Sequence, residues 1–238
     1  MSFLKHLDAK EDNRLLATLP REEYQRLLPH LEVTHLKAGR ILYDVGETVR
    51  YAYFPKGGMI SLLSTTESGR SVEVGMVGDE GMVGIPVVLR TSAAPYQAMV
   101  QITCNALRIR GDALRAEFNR GGRLQELLLR FTHSLLTQIA QSAACNQFHG
   151  LEKRLCRWLL VSRDRVHTDT VHLTQEFLSH MLGVPRTSVT AVAGTLQQRG
   201  LINYSRGRIV ILDRQGLAAA SCECYQRVRD GIEHLLAA

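Results

Sequence analysis

The segment Leu173-Thr-Gln-Glu-Phe-Leu-Ser-His-Met-Leu-Gly-Val-Pro-Arg-Thr-Ser-Val-Thr-Ala-Val192 constrains the fold more than any other part of the chain. Thr174 can cap a helix with Glu176 in its first turn and Leu178 and Leu182 facing inward. Gly183 can take a left-handed corner at no steric cost, and Ser179 is small where two crossing helices would meet. Pro185 suits the first position of a second helix, which Val189 and Val192 would seat on the first. After Gly200, Leu201-Ile-Asn-Tyr and Arg208-Ile-Val-Ile-Leu flank Ser205-Arg-Gly and read as an antiparallel hairpin. The segment is therefore expected to be a winged helix-turn-helix.

Such a unit exposes Arg186, Thr187, Ser188 and Thr190 on the N-terminal part of its second helix, the part that enters the major groove in helix-turn-helix proteins. A guanidinium can bond guanine O6 and N7 together, and hydroxyls serve bases or phosphates, so these four are the expected base readers. Lys153, Thr174, Arg199, Arg206 and Arg208 are the expected phosphate contacts. Charge permits this reading without carrying it. The chain holds 29 Lys and Arg against 23 Asp and Glu, and from His149 onward 12 basic residues face 8 acidic ones. A small helical subdomain with no DNA role, or one that docks a protein partner, remains an alternative. An apolar exposed face around Arg186 would favour docking. No nucleophile, base and orienting group form a legible set, so the chain is not expected to be an enzyme.

Upstream, Asn13 to Leu31 reads as short helices, the second starting at Pro20-Arg-Glu-Glu. From Val33 to Arg110, short β-type runs alternate with Gly-containing turns, as in an antiparallel barrel or roll. Gly121-Gly122 breaks this texture. The stretch Arg123 to Gln147 then carries Leu124, Leu128, Phe131, Leu135 and Ile139 at helical spacing, a helix of roughly 37 Å that suits pairing with a second copy. Packing of the same stripe on the chain's own barrel is the alternative. The expected class is α+β: helices and a roll over 1–120, a long dimerisation helix over 121–148, and the winged unit over 149–238. Met1 to Leu7 is too poor in apolar residues for a targeting segment, and no apolar run approaches the roughly 20 residues of a membrane span. A cytoplasmic protein with no membrane association is expected.

The order of roll, long helix and winged motif resembles the Crp/Fnr family of regulators over nearly the whole chain, most specifically at Leu173 to Val189 and Gly200-Leu-Ile. The resemblance implies a homodimer that recognises an inverted repeat in double-stranded DNA, a signal received in the roll, and RNA polymerase as a candidate protein contact. It also gives Arg186 the position of a base-contacting arginine. The family's frequent Arg-Glu pair and following Arg are here Arg186-Thr187 and Ala191, so its familiar target is not implied.

Gly46-Glu47, Gly57-Gly58 and Gly78-Asp-Glu-Gly-Met-Val-Gly84 are similar to the glycine landmarks of a cyclic-nucleotide roll. The family's phosphate cassette, a Glu after the last glycine and then an Arg with Ser or Thr, is here Gly84-Ile85-Pro86-Val87. A buried phosphate without a partner is costly, so cyclic AMP bound in the usual way is not expected. Gly84, Ile85, Val87 and Tyr96 are the candidate pocket for an unidentified effector, and Arg90 reads as a loop charge. The five cysteines are odd in number and scattered, with none before Cys104, which argues against the family's iron-sulfur branch. Cys222-Glu-Cys224 is too close for a usual zinc pair by itself, and Cys145, Cys156 and the nine His show no ligand spacing. His35 and His133 read as structural rather than haem ligands. No metal or cofactor is expected, and a redox role for Cys104 stays open.

Overall fold

The computed structural model describes residues 13–91 and 93–237; Met1 to Leu7, read above for targeting, lies outside them. Two short helices, α1 (Arg14–Ala17) and α2 (Arg21–Leu27), lead into strands β1 (Glu32–Leu36), β2 (Ile41–Tyr43), β3 (Tyr51–Lys56), β4 (Met59–Thr65), β5 (Ser71–Val77), β6 (Gln97–Ile102) and β7 (Cys104–Arg110). They form two antiparallel sheets, ordered β1-β7-β3 and β2-β6-β4-β5, with Phe54, Ile60, Leu62, Val100 and Ile109 nearly inaccessible between them. The roll is as the run-and-turn texture predicted.

Helix α3 (Gly111–Asn119) leads to the long helix α4 (Arg123–Phe148). Its first amides, at Arg123 and Leu124, donate to the two carboxylate oxygens of Glu23 at 2.9 Å each, so an acid from α2 supplies the N-terminal cap. The stripe read as a dimer seam faces the other way. Leu124, Leu128, Phe131 and Leu135 are buried in the chain's own core and Ile139 packs against it. A Cβ at Gly81 would lie 2.1 Å from the Phe131 ring, so the β5 turn needs glycine to admit that ring. Periodicity marks the buried face of a helix without saying which surface buries it, and here the roll does. The side of α4 left exposed carries Leu129 and Leu136, 49% and 61% accessible and seven residues apart.

Helix α5 (Leu151–Val166) leads to β8 (Thr170–His172). Then come α6 (Gln175–Leu182), α7 (Arg186–Gln198), β9 (Ile202–Ser205), β10 (Arg208–Ile211), α8 (Arg214–Ala220) and α9 (Cys224–Leu236), with a third antiparallel sheet ordered β8-β10-β9. The two halves of the chain share a core. Met59, Leu63 and Met76 of the roll pack in one cluster with Trp158, Leu159, Leu178 and Val189.

Polar contacts fasten that junction. Arg165 pairs with Glu80 at 2.8 Å, both side chains almost fully buried, and also donates to the Met76 carbonyl at 3.1 Å. Trp158 Nε1 donates to Glu73 at 2.9 Å, and His167 meets Asp79 at 2.7 Å. Complete burial pushes the Glu73 carboxyl up to about 7, against the opposing pull of Ser61, Arg157, Trp158 and Arg165.

Candidate nucleic-acid interface

The local chemistry of the helix-turn-helix follows its sequence closely. The Thr174 hydroxyl accepts from the Phe177 amide at 3.1 Å and caps α6, while Gly183 ends that helix at φ +64. Leu178, Ser179, Leu182 and Val189 are buried at the corner, and Val192 packs partly against them. Pro185 sits one position earlier than expected, as the residue before the first turn at φ −58, which leaves Arg186 to open α7.

Arg186, Thr187 and Thr190 are exposed and Ser188 is half-buried. Thr190 Oγ1 lies 2.7 Å from Gln175 Oε1 and 3.0 Å from the Arg186 carbonyl, tying α7 to the start of α6. The remaining exposed positions of α7 are Ala191, Gly194, Thr195, Gln197 and Gln198. This face is acid-free and has no large apolar side chain. It is therefore able to approach a polyanion closely and unsuited to apolar docking.

The wing turns on Arg206 (φ +49) and Gly207 (φ +76), the paired positive-φ positions of a two-residue hairpin, so the Arg206 guanidinium stands at the tip. A groove is lined by Thr174, Gln175, Glu176, Arg186, Tyr204, Arg206 and Gly207. The structure thus brings Thr174, Arg186 and Arg206 together. Arg208 is exposed on the same hairpin, opposite Ser205. Tyr204 donates to the Leu173 carbonyl at 3.0 Å, and burial raises its hydroxyl while the Arg186 charge lowers it. Gln175, Gln197 and Tyr204 escaped sequence reasoning because each acts by bridging elements that only the fold brings together.

Two expected phosphate contacts stand apart from that groove. Arg199, at the far end of α7, pairs with Glu152, and Lys153 lies beside Phe148, His149 and Ala220 at the junction of α4 and α5. The expected effector residues also change. Ile85 and Val87 are buried in a one-turn 3-10 helix after Gly84, where the Val87 carbonyl accepts from Arg115 at 3.1 Å; they fill space rather than line it. The roll's opening is lined instead by Leu42, Tyr43, Glu47, Arg50, Tyr51 and Tyr53, with Tyr96 reaching it only through the Tyr43 ring, 6.3 Å away. Arg90 points elsewhere, donating to Asn119 at 3.2 Å.

The thiols also differ from their expected scatter. Cys104 and Cys156 pack in the two large apolar clusters, but Cys145, Cys222 and Cys224 form a cluster of their own beside His149. One sequence signal was available, since Cys145 and His149 are four residues apart, about one helical turn, where the long helix ends.

Residues 33–120 match the cyclic nucleotide-binding domain family, and residues 153–220 match the Crp-like helix-turn-helix domain family. The global nitrogen regulator of Synechococcus elongatus is 21% identical over 217 residues, covering 87% of this chain and 96% of that protein. FixK2 from Bradyrhizobium japonicum has a similar fold, with a TM-score of 0.70 at 15% identity over 81% of this chain and 98% of its own. A Crp-family transcriptional regulator from Thermus thermophilus gives a TM-score of 0.65 at 20% identity over 79% and 96%. With both family domains in the same order around one long helix, the chain belongs to the Crp/Fnr family of DNA-binding transcription regulators.

Proposed function

We propose that the protein is a cytoplasmic, sequence-specific transcription regulator that binds an inverted-repeat operator as a homodimer, without cyclic AMP held in the family's usual way. The observation that carries this reading is the exposed, acid-free face of α7, with Arg186 at its first turn and Arg206 across the groove on the wing. Arg186, Thr187, Ser188 and Thr190 read base edges, with Arg186 as the principal discriminator. Thr174, Arg206 and Arg208 hold phosphates beside them, and Arg199 and Lys153 reach the backbone further out. The functional division runs 1–120, 121–148 and 149–238.

The face of α4 for a second copy is the one bearing Leu129 and Leu136, because Leu124, Leu128, Phe131 and Leu135 are already committed to the chain's own core. In the roll, the apolar Ile85-Pro86-Val87 turn offers a phosphate no partner, which supports an effector of another kind, held near Tyr43 and Arg50.

The test is a selection of genomic DNA fragments by the purified, ligand-free protein at a stated salt concentration. Enrichment of an inverted repeat with half-sites about one helical turn apart, roughly 34 Å, is the expected result. Enrichment of single half-sites would overturn the dimer, and enrichment of none would overturn effector-free recognition.

A further inference from the structure

Where α4 ends and α9 begins, four side chains from two distant parts of the sequence converge. Cys145 and His149 lie on the last turn of α4 and at its C-terminal boundary; Cys222 and Cys224 flank Glu223 at the start of α9. Their ligand atoms all lie within 4.8 Å of one another. The Cys145 and Cys222 Sγ atoms are 3.6 Å apart, and Cys224 Sγ is 3.5 Å from His149 Nδ1. For metal–sulfur bonds of about 2.3 Å and metal–nitrogen bonds of about 2.0–2.1 Å, a tetrahedron has S···S edges of about 3.8 Å and S···N edges of about 3.6 Å. Both separations match those edges before any ion is added.

The surroundings match the same chemistry. The other ring nitrogen of His149, Nε2, lies 3.4 Å from a Glu223 carboxylate oxygen, the arrangement that orients a metal-bound imidazole. Gln141 Nε2 donates to Cys224 Sγ at 3.0 Å. Arg154 and Arg157 of α5 are close enough for their charges to act with Cys145, and Arg157 is buried with its Nε unpartnered. Buried thiols that serve only as packing lie among apolar neighbours, as Cys104 and Cys156 do, whereas these three touch one another and polar groups.

We propose that Cys145, His149, Cys222 and Cys224 form a tetrahedral site for a single divalent cation of the zinc class, joining the end of the long helix to the last helix of the DNA-binding unit. With all three thiols deprotonated, three thiolates and a neutral imidazole around a dication leave one net negative charge, which Arg157 offsets. A cluster of two or four irons would attach its thiolates to different metal atoms and spread them further apart, so a single ion suits the compact spacing better.

The experiment uses the full chain. Its metal content is measured after purification without chelator; the protein is then stripped under reducing conditions and titrated with Co²⁺, followed by Zn²⁺. One equivalent of zinc as purified is expected. One equivalent of Co²⁺ should give the intense visible bands of a tetrahedral thiolate complex, which Zn²⁺ abolishes. Cys145→Ser, Cys222→Ser and Cys224→Ser should each remove those bands, while Cys104→Ser and Cys156→Ser keep them. Glu223→Gln alters an exposed side chain that leaves folding intact, and should weaken binding about 10–100-fold. Failure of the stripped wild-type protein to take up stoichiometric Co²⁺ overturns the site. So does iron with acid-labile sulfide in the purified protein, or a metal-free Cys145–Cys222 disulfide in peptide mapping.

Discussion

Ionisation of the Glu73 carboxyl opposes the folded state. It sits on β5, fully buried, accepting from Ser61 Oγ at 2.5 Å and from Trp158 Nε1 at 2.9 Å across the junction between roll and DNA-binding unit. Burial raises it from an ordinary 4.5 to about 7. Between those two values the folded chain holds a proton that the unfolded chain has lost, so stability is full below about pH 4.5 and falls as pH rises through 7. At about 1.4 kcal/mol for each unit, the loss is about 3 kcal/mol, or of order 10 °C in melting temperature for a chain of this size. Glu73→Gln keeps the shape and removes the titration. Denaturant unfolding of both proteins from pH 5 to 8 should show the variant gaining about 3 kcal/mol on the wild type across that range. Parallel curves would refute the reasoning, since they would mean that Glu73 titrates alike in both states.

Arg186→Ala should weaken binding to the selected operator by about 1–3 kcal/mol while leaving non-specific binding nearly intact; equal loss on every sequence in competition assays would remove its role as a base reader. Arg208→Ala should weaken both and reduce the slope of log K against log salt by about one, and an unchanged slope would exclude a phosphate contact. Arg165→Met should cost about 3–5 kcal/mol in chemical denaturation, because Glu80 is then left buried without its partner; the double change with Glu80→Leu should recover most of it. Leu136→Asp, on the exposed side of α4, should yield folded monomers in light scattering, whereas Leu128→Ala should keep the dimer and lose about 2–5 kcal/mol of stability.

The helix-turn-helix was legible because its determinants are local. A cap at Thr174, a left-handed corner at Gly183 and inward positions at Leu178, Leu182 and Val189 all act within one stretch of chain. The wing was legible for the same reason, through Arg206-Gly207. What stayed hidden depends on residues far apart in sequence. Leu124, Leu128, Phe131 and Leu135 announced an apolar face, yet its partner is the roll, whose distant residues, Gly81 beside the Phe131 ring among them, meet the helix only in the fold. The last turn of α5, ending at Val166, stayed hidden as well, because its Arg165 and the following His167 are satisfied by Glu80 and Asp79, more than eighty residues upstream. Cys222 and Cys224 gave no ligand signal on their own, since the other two donors come from a helix seventy-odd residues earlier.

The contacts of β5 also bear on how a ligand held in the roll, as proposed above, would act on α7. A Cβ at Gly183, the corner of the helix-turn-helix, would lie 3.3 Å from a Val72 methyl group, so the corner rests directly on β5. Next to Val72, Glu73 holds Trp158; further along the strand, Met76 packs in the shared core, and in the turn beyond it Asp79 and Glu80 hold His167 and Arg165. One strand and its turn therefore carry both the corner and the body of the reading unit. A ligand that shifts β5 by a fraction of an ångström has to move that unit or break these buried contacts, since packed interiors transmit strain rather than absorb it. Coupling along the long helix alone predicts that changes at Val72 or Glu80 leave operator affinity alone. Coupling through β5 predicts that Val72→Ala, which loosens the support of Gly183 while sparing α7 and the wing, changes that affinity at constant dimer content.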